Sequence, residues 1–484
     1  MAPDKQTVDA FWRSWASDEG LEPFESLLGW VRERNEATEV SVSRVGLDEC
    51  SPWRLDPATG RIGNPAGSFF QVAGLEVAEG QRELAQPVLL QGEIGYLGIV
   101  AKVFDGVAHL LMQAKVEPGN VNRVQVSPTV QATRSNFLRL HGGRRPAYLE
   151  YFLRNGSAEC RPVSTLVDQV QSEQSSRFLG KRNRNVVVLA EGEVEALPTH
   201  RWMTLGQVKR LMRYPNLVNM DTRTVLSCIP WSLWGPPSAG ALEGGGADRL
   251  ALNSILGEYD FDETVEIFQA MNDARMFDFS QRRIVGLCDL EDWSFSADGT
   301  RFTCRDPYPF SVGFFDIAIE GREVARWRQP LFEAQGMATF ALVCREDADC
   351  LRFLVRLKRE PGCFDTAELA PTLQREAGSI ELPDAVDSAV LGLLERGEGV
   401  VRDVVLSEEG GRFYCEENRN VLLRLSADRA EALFPSGELP RDCFWVDCAI
   451  LNRLVQFNNV LNIQLRNLLS LIDPWERPED GGML

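Results

Sequence analysis

The chain has 484 residues, room for about three ordinary domains or two large ones. It is 44% hydrophobic and 25% charged, the profile of a globular protein, and no apolar run reaches the ~18 residues of a membrane span. Its net charge of −19 repels polyanions, which argues against bulk nucleic-acid binding and leaves only a local basic pocket for a phosphate.

The start of the chain, Met1–Gln6, does not lead into a signal-peptide core. The 11 cysteines include no C-x-x-C pair, so the expectation is reduced thiols in a cytoplasmic protein. With only His109, His141 and His200, a His-rich metal site is excluded and a carboxylate site is left open. The 51 basic residues include six lysines: Lys5, Lys102, Lys115, Lys181, Lys209 and Lys358. Each is of interest, because a desolvated ammonium can lose its proton and a guanidinium cannot.

In chain order, residues 1–39 carry Phe11, Trp12 and Trp15 at helical spacing, which predicts a helical lead-in whose aromatics are core. Residues 40–232 form a first module. Within it Gln86–Val116 alternates apolar runs with Gly92, Gly95 and Asp105-Gly106, which predicts antiparallel hairpins. Leu205–Ile229 has helical periodicity. Residues 233–277 read as a Pro/Gly/Ala linker (Gly235–Ala247) and a second helical lead-in (Asp248–Met276). A second module follows at 278–477, closing with a helical pattern over Ala449–Ile472. Each module reads as an α+β unit with a mixed or antiparallel sheet.

The two modules repeat one another. Gln86-Pro87, Lys115-x-Glu117-Pro118-Gly119 and Pro128-Thr129-x-Gln131 recur 243 residues later as Gln329-Pro330, Lys358-x-Glu360-Pro361-Gly362 and Pro371-Thr372-x-Gln374. Ser172-Glu173, Arg177-Phe178 and Asn183-Arg184-Asn185 recur as Ser407-Glu408, Arg412-Phe413 and Asn418-Arg419-Asn420. Trp53 matches Trp293. Matches in one order over this length indicate an internal duplication.

The strand predicted over His109–Glu117 is the best place for chemistry. Side chains alternate along a strand, so His109, Gln113, Lys115 and Glu117 share one face. Beyond the Pro-Gly turn, Asn120, Ser127, Thr129 and the run Thr133-Arg134-Ser135-Asn136 continue a polar segment that is costly to bury without partners. The plain alternative is a solvated Lys115–Glu117 ion pair of little consequence. Gly119 and Gly362 read as turn glycines first and ligand contacts second. Trp53 and Trp293 read as core or as a stacking platform, Arg134 as a phosphate grip, and His141-Gly142-Gly143-Arg144-Arg145 as a solvated turn or a phosphate loop.

The string QAKVEPGNVNRVQVSPTVQATRSNF (Gln113–Phe137), with Ser68-Phe69-Phe70 and Gln86-Pro87 before it, resembles the NDP-hexose 2,3-dehydratases of antibiotic deoxysugar pathways. The likeness extends over the second module's EPGCFDTAELAPTLQ and the closing NRN segments. One departure is Leu84, where a tryptophan like Trp327 is expected two residues before the glutamine. The resemblance implies a dTDP-4-keto-6-deoxyhexose substrate and loss of its 2-hydroxyl. It further implies two tandem Nudix-like modules, a homodimer and a downstream 3-ketoreductase as pathway partner. The Nudix box G-x5-E-x7-R-E-x-x-E-E is nowhere in the sequence, which argues against pyrophosphate hydrolysis. No metal or other cofactor is called for, nor any nucleic-acid or membrane partner.

On that reading Glu117 is the expected base, Lys115 the enolate donor or leaving-group acid, and His109 stands beside them as a third catalytic group. Trp53, Gln113, Asn120, Thr133, Arg134, Ser135, Asn136 and Ser172 are expected to bind substrate, joined from the second module by Trp293, Lys358, Asn418, Arg419 and Asn420. The first module is expected to be catalytic and the second a binding or scaffold relic. The competing readings are a non-catalytic nucleotide-sugar binding protein and an epimerase or isomerase on the same keto sugar.

Overall fold

The structure is a computed structural model. It describes residues 3–475 apart from 66, 68, 80–81, 134–145, 153–159, 241–245, 259, 322–323 and 380–381. It is an α+β arrangement dominated by two seven-stranded mixed sheets with the same strand order. In the first, the order is Val163–Ser172, Arg182–Ala190, Gly95–Phe104, Val107–Val116 and His200–Met203. Val124–Ser127 and Val130–Ala132 pair with its two central strands. In the second, it is Val400–Ser407, Glu417–Ser426, Ala338–Glu346, Leu351–Arg359 and Cys443–Asp447, with Ala367–Pro371 and Leu373–Arg375 in the corresponding places.

The predicted hairpin over Gly95–Phe104 and Val107–Val116 forms, turning at Asp105 (φ 48°) and Gly106 (φ 79°). Two successive positive φ values match the right-handed twist of the flanking strands. The preceding strand, Arg82–Leu90, does not join this hairpin. It pairs with Gln71–Glu79 in a separate sheet, because Gly92 and its neighbours carry the chain across to the other layer.

Those smaller sheets are exchanged between the halves. Val40–Arg44 pairs antiparallel with Phe310–Ile319 of the second half, and Gln281–Val285 of the second half pairs with Gln71–Glu79 of the first. An aromatic core of mixed parentage lies between them: Trp53, Phe70 and Phe178 pack with Trp293, Phe310, Phe332 and Phe413. Two fully buried arginines tie the halves further. Arg223 donates to the Ser407 carbonyl at 2.5 Å and Arg466 to the Ser172 carbonyl at 2.5 Å.

Each predicted terminal helix is two short ones, Leu205–Leu211 with Met220–Ser227 and Cys448–Leu454 with Ile463–Ser470. Asn216 (φ 55°) and Asn459 (φ 57°) take the left-handed conformation at the breaks, which a continuous helix cannot contain. The first lead-in forms Lys5–Ala16, capped by Asp4, and Phe24–Ala37. Trp12 and Trp15 are buried against Trp231 and Trp475, with their indoles bonded to the Gly235 carbonyl and the Asp473 carboxylate. The second lead-in forms Arg249–Ile255 and Phe261–Met276.

Gly119 and Gly362 serve a close approach of backbones. A Cβ at Gly119 would lie 1.6 Å from the Phe413 carbonyl oxygen, and one at Gly362 would lie 1.8 Å from that of Phe178. The Gly119 amide donates to the Gly410 carbonyl and the Gly362 amide to that of Ser175, stitching each half's turn to the other half. All 11 cysteines are unpaired, and among the described residues no helix is long and apolar enough to cross a membrane.

Candidate active site

The end of the strand Val107–Val116 delivers Lys115 and, one residue past it, Glu117 into a cavity of about 340 Å³. The Lys115 ammonium stands 2.8 Å from a Glu117 carboxylate oxygen, and both side chains are largely buried. Lys115 also reaches the Gln131 carbonyl at 3.4 Å. Gln131 and Thr133 line the same wall, continuing from the strand Val130–Ala132.

A second ionic group faces them. Glu173 and Lys181 flank the turn between Val163–Ser172 and Arg182–Ala190, and both line the cavity. Asn183 donates to Glu173 at 2.6 Å, while the Lys181 ammonium donates to the Glu93 carbonyl at 2.5 Å. Burial pushes the Glu173 carboxyl up to about 7 against the pull of Lys181, and pulls Lys181 down to about 8. Asp221, from the first turn of Met220–Ser227, also lines the cavity. Burial pushes its carboxyl well above the ordinary range, and Glu173 and Glu409 add to the rise.

The strand exchange brings the second half to this site. Trp327, Arg328 and Gln329 enter from the strand Arg326–Ala334, and Glu409, Gly411 and Arg412 from the loop after Val400–Ser407. The Arg412 guanidinium lies over the Phe70 ring at 4.3 Å and bonds Gln91. Trp327, the second half's counterpart of Leu84, lines this cavity.

The sequence model of the family described as NDP-hexose 2,3-dehydratase matches residues 24–229 and 264–472. A dTDP-4-dehydro-6-deoxy-alpha-D-glucopyranose 2,3-dehydratase from Saccharopolyspora spinosa is 37% identical over 462 residues, covering 93% of this chain and 91% of its own. Proteins of the same name from Streptomyces violaceoruber and Amycolatopsis orientalis are each 34% identical, over 92% and 95% of this chain and 95% and 92% of their own. The chain belongs to the NDP-hexose 2,3-dehydratase family.

Of the residues expected to act in this dehydratase fold, Lys115, Glu117, Trp53 and Thr133 meet at the cavity. Trp53 does so while packing at 4.6 Å against Phe70. Arg134, Ser135, Asn136 and the His141 loop lie outside the described residues. His109 is a correction. It is six residues up the strand, roughly 20 Å away, with its ring nitrogens facing the Leu21 amide and the Val107 carbonyl and its ring against Phe104.

The other corrections have equally local causes. Gln113 and Asn120 are not among the cavity's lining residues; the Asn120 amide instead closes its own turn on the Arg123 carbonyl. Ser172 is buried against Glu368 at 2.9 Å, and strand alternation gives the cavity its neighbour Glu173 instead. Trp293 stacks with Phe302 in the aromatic core and bonds the Ala85 carbonyl. Lys358 donates to the Gln374 carbonyl in the second sheet, Asn418 to Glu408, Asn420 to the Asn418 carbonyl, and Arg419 forms an outlying pair with Asp403.

The residues that sequence reasoning missed are Glu173, Lys181, Asp221, Glu409 and Arg412. A signal for three of them was present in the repeat. At the matching positions of the other half, Lys181 becomes Glu416, Asp221 becomes Gln464, and Glu409 becomes Gln174.

Proposed function

We propose that the chain is a dTDP-4-keto-6-deoxy-D-glucose 2,3-dehydratase, a hydro-lyase of nucleotide-sugar metabolism, with its chemistry in the cavity around Lys115 and Glu117. The observation that carries the site assignment is the buried 2.8 Å Lys115–Glu117 pair inside a cavity lined by both halves. The substrate ketone at carbon 4 acidifies the hydrogen on carbon 3, and the hydroxyl on carbon 2 is then placed to leave. Glu117, paired with Lys115, takes the carbon-3 proton. The Lys115 ammonium donates to the carbonyl oxygen on which negative charge develops. Loss of the 2-hydroxyl gives an enol that ketonises to a 3,4-diketo sugar. The guanidinium groups of Arg328 and Arg412, which enter from the second half, suit the pyrophosphate.

On this reading the two halves are Nudix-like modules from one duplication, the first catalytic and the second a scaffold that lends residues across the exchange. The protein works as a cytoplasmic homodimer. Its labile diketone is consumed by a 3-ketoreductase. The test is incubation with the keto sugar and chemical trapping of the diketone. Recovery of an epimerised sugar that keeps its 2-hydroxyl, or of unchanged substrate, overturns the proposal.

A further inference from the structure

An elimination needs an acid as well as a base, and the Lys115–Glu117 pair supplies an acid poorly. Glu117 is occupied as a base, and the Lys115 ammonium, already shared between Glu117 and the Gln131 carbonyl, is assigned to the carbonyl oxygen at carbon 4. Of the cavity's other carboxyls, Glu173 accepts from Asn183 and Glu409 from the Gly411 amide, which leaves Asp221.

Asp221 is the second residue of the helix Met220–Ser227, where an aspartate ordinarily faces solvent and caps the helix amides. Here that work is done by Asn219, whose side-chain oxygen Oδ1 accepts from the Thr222 amide at 2.8 Å. Asp221 is instead 1% exposed and turned to the cavity. Neither of its carboxyl oxygens has a hydrogen-bond partner among the described residues. A carboxylate in that position would have no hydrogen bond, and burial with the neighbouring Glu173 and Glu409 outweighs the pull of Lys115, so the neutral acid is the form that the site tolerates. Its O–H then has nothing to donate to except what occupies the cavity.

We propose that Asp221 is the general acid that protonates the departing carbon-2 hydroxyl. The assignment rests on the dehydratase reading and deepens it. The Glu117 carboxylate takes the carbon-3 proton, and the freed electron pair forms the C2–C3 double bond as the C2–O bond breaks. The Asp221 proton joins the leaving oxygen to give water. The Asp221 carboxylate then regains a proton from solvent, and protonated Glu117 releases one. Two carboxyls in unlike surroundings, Glu117 paired with an ammonium and Asp221 without a hydrogen bond, divide the base and acid roles between them. The matching residue of the second half is Gln464, also buried, whose amide has no such proton to give.

The test compares two leaving groups. Departing fluoride needs little help from an acid and a departing hydroxyl needs it throughout. Asp221→Asn is assayed with dTDP-4-keto-6-deoxyglucose and with its 2-deoxy-2-fluoro analogue, per nucleotide site titrated with dTDP. The expected result is a loss of ~100-fold or more in hydroxyl elimination, with fluoride elimination within about tenfold of wild type. Deuterium from solvent should still enter at carbon 3. Hydroxyl elimination near the wild-type rate, or an equal loss for both leaving groups, overturns the assignment. Glu117→Gln separates the two claims. It should lose both eliminations and carbon-3 exchange together, and if it keeps them the base is misassigned while the Asp221 comparison still stands.

Discussion

Arg177 of the first half and Glu376 of the second form an ion pair at 3.0 Å, with the Arg177 side chain almost fully buried over the Phe310 ring. By the repeat, Arg177 corresponds to Arg412 and Glu376 to Thr133. Where the first half's cavity presents an arginine and a threonine, the second half sets an arginine against a carboxylate. Glu408 and Glu416, pushed by burial up to about 8 and about 7, crowd the same region.

The two halves should therefore respond differently to the same change. Lys358→Met with Glu360→Gln is expected to leave turnover near wild type, and Lys115→Met with Glu117→Gln to abolish it. Rates of diketone formation for the two double variants decide the matter, and the opposite ranking reverses the assignment of the catalytic half.

Glu117→Gln and Lys115→Met singly each remove one group at near-constant volume. Turnover is expected to fall by ~10²–10⁴, the usual size of an acid–base contribution, with dTDP-sugar affinity roughly kept. Near-normal turnover in either variant would mean that the pair is only structural.

Asp221→Asn should also show itself in stability. Burial raises the folded-state carboxyl above its unfolded value, so its relative stabilisation is full below about pH 4 and is lost as pH rises through the folded value. Asparagine does not titrate. The melting temperature of the variant minus that of wild type should then increase as pH rises above about 4 and level off once pH passes the folded value. A difference that stays flat over that range contradicts a protonated Asp221.

Gly119→Ala places a Cβ against the Phe413 carbonyl and should cost about 3 kcal/mol or more, at the upper end for overpacking. Gly92→Ala, which would meet no atom within 4 Å, should change stability by no more than about 0.5 kcal/mol. Chemical denaturation of both measures the contrast.

Activity should survive EDTA. No group of three or more potential metal-ligating side chains is found among the described residues, and elimination beside a ketone can run on hydrogen bonds alone. Loss of turnover with EDTA, restored by one divalent ion, would refute this.

Much of the fold was legible because its signals are local. The Asp105-Gly106 hairpin and the tryptophan helix follow from spacing over a few residues, and strand alternation brought Lys115 and Glu117 to one place. The exchange of Val40–Arg44 and Gln281–Val285 was not legible, since a strand's own pattern says which face is apolar and not which neighbour it pairs with. The same limit misplaced His109. Sharing a face with Lys115 says nothing about the twist and distance that separate them along the strand. Asp221 was hidden because a first-turn aspartate looks like an ordinary helix residue until its burial is known.

The crossed strands also bear on how the chain is made. Gln71–Glu79 leaves the ribosome about two hundred residues before Gln281–Val285, the strand that covers its edge. At ordinary rates of synthesis that interval is roughly 10–40 s. Throughout it the first half has an unpaired strand edge and an unfinished aromatic core, and the cavity wall carrying Trp327 and Arg412 does not yet exist. Neither half can mature alone, so the nascent chain is most open to aggregation or chaperone capture before the second half emerges.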